Sequence, residues 1–163
     1  MATHGCTVEW SRGDAVFTDQ KYPRAHQWRF DGGAVVRGSS SPHSVRVPYS
    51  DVSAVDPEEA LVAAVSSCHM LWFLSLAAQD GLVIDSYADA AEGRMGSFAD
   101  GRRGITEVLL RPRIVVAGRA AVDDAVIAAL HHRAHERCDI AHSIRGEVRV
   151  QGSWSPAGER EDR

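Results

Sequence analysis

The chain has 163 residues, 44% apolar and 25% charged, which suits one soluble globular domain. Its formal net charge is −4 and no basic cluster interleaves with aromatics, so neither nucleic acid nor an anionic membrane is an expected partner. The three cysteines (Cys6, Cys68 and Cys138) are odd in number and widely spaced, which excludes a disulfide framework. The opening MATHGCTVEWSRGD lacks the apolar core of a secretory signal, so the expected location is cytoplasmic, where lasting structural disulfides are uncommon.

In chain order, residues 1–20 form a polar N-terminal segment with one short strand expected around Ala15–Thr18. Arg24–Phe30 alternates loosely and stops at Asp31-Gly32-Gly33, a strand followed by a turn. Ala34–Arg37 and Ser44–Tyr49 read as two further strands around a Ser-rich loop. Next comes DPEEALVAAVSSCHMLWFLSLAAQDG, residues 56–81. Asp56 suits an N-cap, Pro57 the first helical position, Glu59 the capping-box position and Gly81 the C-terminal stop. Ala60–Ala78 has the length of a bilayer span, but its Ala and Ser content and His69 favour a helix buried inside a soluble fold.

Leu82–Met95 and Ile105–Ala117 read as strands joined through Ser97–Gly101, with Pro112 suggesting an edge or a bulge. Val122–Arg137 has helical spacing, and Ile144–Val150 alternates as a last strand. Residues 154–163 form a polar tail expected to fray, leaving 21–153 as the single domain. This order predicts an α+β fold.

Within the long apolar helix, Ser66-Ser67-Cys68-His69 is a polar, reactive run. On one straight helix Glu58 and Cys68 would lie about 15 Å apart along the axis. A break at Ser66–Ser67 would make Ser67 an N-cap and start a second helix at Cys68, where aligned peptide dipoles favour a thiolate. The alternative is a small buried thiol in a helix core. Cys138 ends the second long helix, so two cysteines, one per helix, either meet as a redox pair or sit apart as unrelated thiols.

Asp56-Pro57-Glu58-Glu59, followed by Cys68 within Ser-Ser-Cys-His and by a late helix closing on Cys138, resembles the OsmC/Ohr family of thiol-dependent peroxidases acting on organic hydroperoxides. The resemblance spans roughly Arg24 to Val150. It implies antiparallel sheets around two long central helices, in an intertwined homodimer with sites at the subunit interface. It implies no metal and no organic cofactor. Cys68 matches the peroxidatic cysteine, Cys138 the resolving cysteine, and Glu58 the glutamate that holds a catalytic arginine. That arginine matches Arg37 first, with Arg24 and Arg29 as alternatives. A dithiol, with a lipoyl-type dithiol as one candidate, is the implied reductant. Better-known members carry Cys-Pro-x-Ser at the resolving position, where this chain has Cys138-Asp139-Ile140-Ala141. Met70, Leu71, Trp72 and Phe73 would favour a bulky organic peroxide, or else serve only as core.

Two other readings stand beside this one. His131, His135 and Cys138 share a helix face at i, i+4 and i+7, and with His132, His142, Cys68 and His69 they suggest a metal site. An ordinary histidine face accounts for the same spacing. A non-enzymatic member of the fold binding a small apolar ligand is the other reading. Cys6 is expected to be a bystander.

Overall fold

The computed structural model describes residues 2–117 and 122–158. The chain divides between Ala60 and Leu61 into two compact units. In the first, strands β1 (Cys6–Glu9), β2 (His26–Phe30) and β3 (Val35–Gly38) form an antiparallel sheet in that order. The β2–β3 turn forms where Asp31-Gly32-Gly33 predicted it: the Asp31 carboxylate accepts the Gly32 amide at 2.8 Å, and Gly33 sits at φ 87°, which only glycine adopts freely.

Two expected strands in this unit are absent. Ala15–Thr18 lies among turns, and the strand falls earlier, at Cys6–Glu9. Ser44–Tyr49 also turns on itself: the amides of Ser44 and Val45 both bond Ser41, and Tyr49 bonds Arg46. With its amides spent locally, and Pro48 having none, the segment has little left for a ladder.

Helix α1 (Pro57–Gln79) is a continuous run of 23 residues. Its start is a reciprocal capping box, with Asp56 Oδ1 accepting the Glu59 amide at 2.8 Å and Glu59 Oε2 accepting the Asp56 amide at 3.0 Å. Its end is a Schellman turn: the Leu82 amide reaches Ala77 O at 2.9 Å, and the Gly81 amide reaches Ala78 O at 3.1 Å. Burial differs from expectation. Only Val65, His69, Phe73, Leu76 and Ala77 are buried, a single stripe, and Leu71 remains 60% exposed. A helix apolar on every side is here covered on one side within its own chain.

The second unit holds two three-stranded sheets. Strands β4 (Val83–Asp89), β7 (Pro112–Ala117) and β9 (Ser153–Pro156) form one; β5 (Glu92–Ser97), β6 (Arg103–Leu110) and β8 (Glu147–Val150) form the other. The expected strands 82–95 and 105–117 are thus each broken in two. The second break has a visible cause. The Arg111 amide leaves the ladder for Asp89 Oδ1 at 2.6 Å, and Pro112 has no amide to give. Pro112 therefore marks the first residue of a central strand rather than an edge.

The sheets are mixed rather than wholly antiparallel, because β8 runs parallel to β6 and β9 parallel to β7. Strand β9 also runs into the segment expected to fray: Ser153–Pro156 pairs with Arg113–Val116, and Trp154 Nε1 donates to Asp124 at 2.8 Å.

Helix α2 (Asp124–Arg137) is capped by Asp123, whose carboxylate accepts the Val126 amide at 2.9 Å, and the four-residue α3 (Asp139–His142) follows. One core joins Phe73, Leu76 and Ala77 of α1 to Ile127, Leu130 and Ala134 of α2 and to Ile114 and Val116 of β7. A second gathers Val65, Val108 and Leu110. The α+β fold with two long helices at its centre is the one the sequence predicted.

Candidate active site

Cys68 and Cys138 come together. Both are free thiols, Cys68 half-buried and Cys138 fully buried, and Cys68 is near enough to perturb the Cys138 thiol. Their elements explain the meeting: Cys68 rides on α1, and Cys138 is the hinge residue between α2 and α3, two helices that close on α1 and its neighbours through the two cores.

The helix start expected at Cys68 is not there. Ser66 and Ser67 lie mid-helix, and the Ser66 hydroxyl donates sideways to Asp89 Oδ2 at 2.5 Å instead of leaving Ser67 to cap a new helix. Cys138 is the thiol at a helix start, its sulfur accepting the Ala141 amide at 3.4 Å. That bond favours a thiolate, but burial and the adjacent Cys68 sulfur outweigh it and push the Cys138 thiol up to about 11. Cys138 therefore stays protonated near neutrality.

Beside the thiols lies a pair that the sequence did not single out as such. His69 Nε2 and His131 Nδ1 meet at 3.0 Å, with rings nearly parallel at 14° and centroids 5.3 Å apart. They are 1% and 7% exposed. Burial, reinforced for His69 by His131 and His135, pushes both imidazoles down to about 4. Both are neutral at pH 7, one donating and the other accepting. The sequence offered one signal for this: an imidazole next to Cys68 on the face that Val65 and Phe73 share.

The metal reading loses its geometry. His131 is buried against His69, while His132 and His142 are exposed. Among the described residues no three His, Cys, Asp or Glu side chains are placed to hold an ion.

The charged residues expected to serve the thiols lie in the first unit. Arg37, 64% exposed, forms its ion pair with Asp51 and not with Glu58. Arg29 pairs with Glu9 at 2.6 Å, and Arg24 bonds the Gln20 and Tyr22 carbonyls with its guanidinium 3.8 Å from the Tyr22 ring centre. Glu58 is half-buried and has no ion pair among the described residues. Of the four apolar residues after His69, only Phe73 is fully buried. Cys6 is exposed on β1.

The sequence profile described as OsmC-like protein matches residues 50–152. An OsmC-like protein of unknown function from Vibrio cholerae is 46% identical, with a TM-score of 0.91 over 94% of this chain and 100% of that one. An organic hydroperoxide resistance protein from Legionella pneumophila superposes with a TM-score of 0.65 at 17% identity over 95% and 98% of the two chains. The organic hydroperoxide resistance protein OhrB of Bacillus subtilis does so at 0.61 and 17% over 94% and 98%. These two share the fold. No functionally curated protein matches. By profile match and by its likeness to the Vibrio protein, the chain belongs to the OsmC-like family, which includes hydroperoxide resistance proteins.

Proposed function

We propose that the protein is a thiol-dependent peroxidase that reduces organic hydroperoxides by cycling Cys68 and Cys138. The observation that carries this reading is that a half-buried thiol, Cys68, lies near enough to a fully buried one, Cys138, to help hold it protonated. Cys68, the more accessible, attacks the distal peroxide oxygen as its thiolate. The O–O bond breaks, the alcohol leaves, and Cys68 becomes a sulfenic acid. The Cys138 thiol then condenses with it, forming the disulfide and releasing water. An external dithiol restores both thiols by exchange and is itself oxidised to its disulfide. The relatives named as hydroperoxide resistance proteins support the substrate class.

Arg37 is the arginine assigned to polarise the peroxide, with Glu58 to hold it. Its guanidinium pairs with Asp51 from the surface, where water competes for it, so the pair is released at little cost. A homodimer accounts for the apolar flank of α1 that its own chain leaves open, including Leu71. Reduced thiols suit a cytoplasmic location.

The test is peptide mass spectrometry after one equivalent of an organic hydroperoxide is added to the reduced protein. A Cys68–Cys138 disulfide within seconds is the expected result. Two thiols that stay reduced would favour the ligand-binding reading.

A further inference from the structure

The histidine pair lies outside the proposed chemistry, yet it sits where that chemistry is most sensitive to geometry. His69 is the residue after Cys68 on α1, and His131 lies two turns before Cys138 on α2. Their hydrogen bond is the buried polar link in a helix contact otherwise made by Phe73, Leu76, Ala77, Ile127, Leu130 and Ala134, with the half-exposed Arg133–Asp80 ion pair at the far end of α1. Apolar contacts of that kind are non-directional and tolerate sliding. A hydrogen bond between two planar rings does not: it fixes separation, rotation and register together.

The seat of His131 is also tight. The Phe73 ring lies against it with centroids 4.6 Å apart, and a Cβ placed on Gly152 would fall 2.6 Å from His131 Nε2. Gly152 is thus a close approach of backbone to imidazole that no other residue allows. The outer nitrogens, His69 Nδ1 and His131 Nε2, are buried with no partner among the described residues. A buried polar atom left unpaired costs about 1–3 kcal/mol. Packing alone would be served as well by leucine or phenylalanine, so the bond between the inner nitrogens needs another reason.

We propose that His69 and His131 are positioning residues, a neutral clamp that docks α2 on α1 in the register that sets the Cys68 and Cys138 sulfurs face to face. The proposal rests on the thiol-cycle reading for its purpose, but its test does not. Equilibration with reduced and oxidised glutathione interconverts the dithiol and the disulfide, two glutathiones being oxidised for each protein disulfide reduced, and needs no hydroperoxide.

The variants fall into two groups. His69→Leu, His131→Phe and the double His69→Leu/His131→Leu cannot form the bond. The double variant leaves no buried polar partner behind and is the one most apt to fold. His69→Gln and His131→Asn keep a polar nitrogen near the bonding position.

The expected result is a Cys68–Cys138 disulfide harder to form by about 10²-fold in the bond-lacking variants, since small misplacements of reacting atoms carry losses of that size. The amide variants should recover most of it. If the bond-lacking variants fold and keep the wild-type equilibrium, the clamp is refuted. It is refuted equally if the amide variants lose as much as the leucine variants. If none of the bond-lacking set folds while the amide variants do, the bond is what docks the helices, and the clamp stands. Failure of the thiol-cycle reading would show separately, as wild-type protein that forms the disulfide with glutathione but ignores hydroperoxide.

Discussion

The thiols and the charged residues paired with them in the family resemblance occupy opposite kinds of surroundings. Cys138, His69 and His131 are buried, and Cys68 is half-buried against them; each touches a named partner inside one unit. Arg37 and its neighbours lie on the other unit, more than half exposed in the case of Arg37 and Arg29, and bonded to Asp51, Glu9 and backbone carbonyls rather than to Glu58. A core position is settled by packing, which one chain supplies. A surface guanidinium is settled by whatever anion is nearest, and a substrate or a second subunit can change that.

The sharpest way to break this contrast is Cys68→Ser, which should abolish hydroperoxide consumption in a peroxide-loss assay; retained activity would sink the thiol cycle. Cys138→Ser should allow one oxidation and then stall, leaving a sulfenic acid that a dimedone-type probe captures and no turnover with dithiol. Arg37→Ala should lower kcat/KM by about 10²-fold, the usual cost of one preorganised donor, while leaving the melting temperature nearly unchanged because its ion pair is exposed. If Arg24→Ala or Arg29→Ala has the larger effect, the assignment moves to that residue.

The buried side of the contrast should answer in stability instead. Phe73→Ala removes a fully buried ring that packs on His131 and should cost about 3–5 kcal/mol in denaturant unfolding. The last effect concerns acid. Folded His69 and His131 titrate near 4, whereas unfolded histidine titrates near 6.5. Between those values the unfolded chain takes up protons that the folded chain refuses. Their contribution is therefore complete above about pH 6.5 and is lost as the pH falls toward 4, up to about 3 kcal/mol for each imidazole. An unfolding free energy flat from pH 7 to 4.5 would contradict the buried neutral pair.

What the residues alone determined was local or patterned. The capping box at Asp56–Glu59, the stop at Gly81, the Asp31–Gly33 turn and the extent of α2 to within two residues depend on contacts a few positions away, and all appear as read. The ordered cysteine motifs carried the family. The polar run in α1 is where local reading failed. The run Ser66-Ser67-Cys68-His69, with Glu58 too far along a straight helix to reach Cys68, suggests a break at Ser66–Ser67. The helix runs on instead, and Ser66 and His69 have distant partners, Asp89 and His131, while Cys68 neighbours Cys138. Likewise Arg111 and Pro112 read as mid-strand until Asp89 took the Arg111 amide. A buried polar group is costly to leave unpaired, but the sequence does not say which residue pairs with it. Only the folded chain brings together residues 23, 62 and 70 positions apart and so decides which polar side chain answers which.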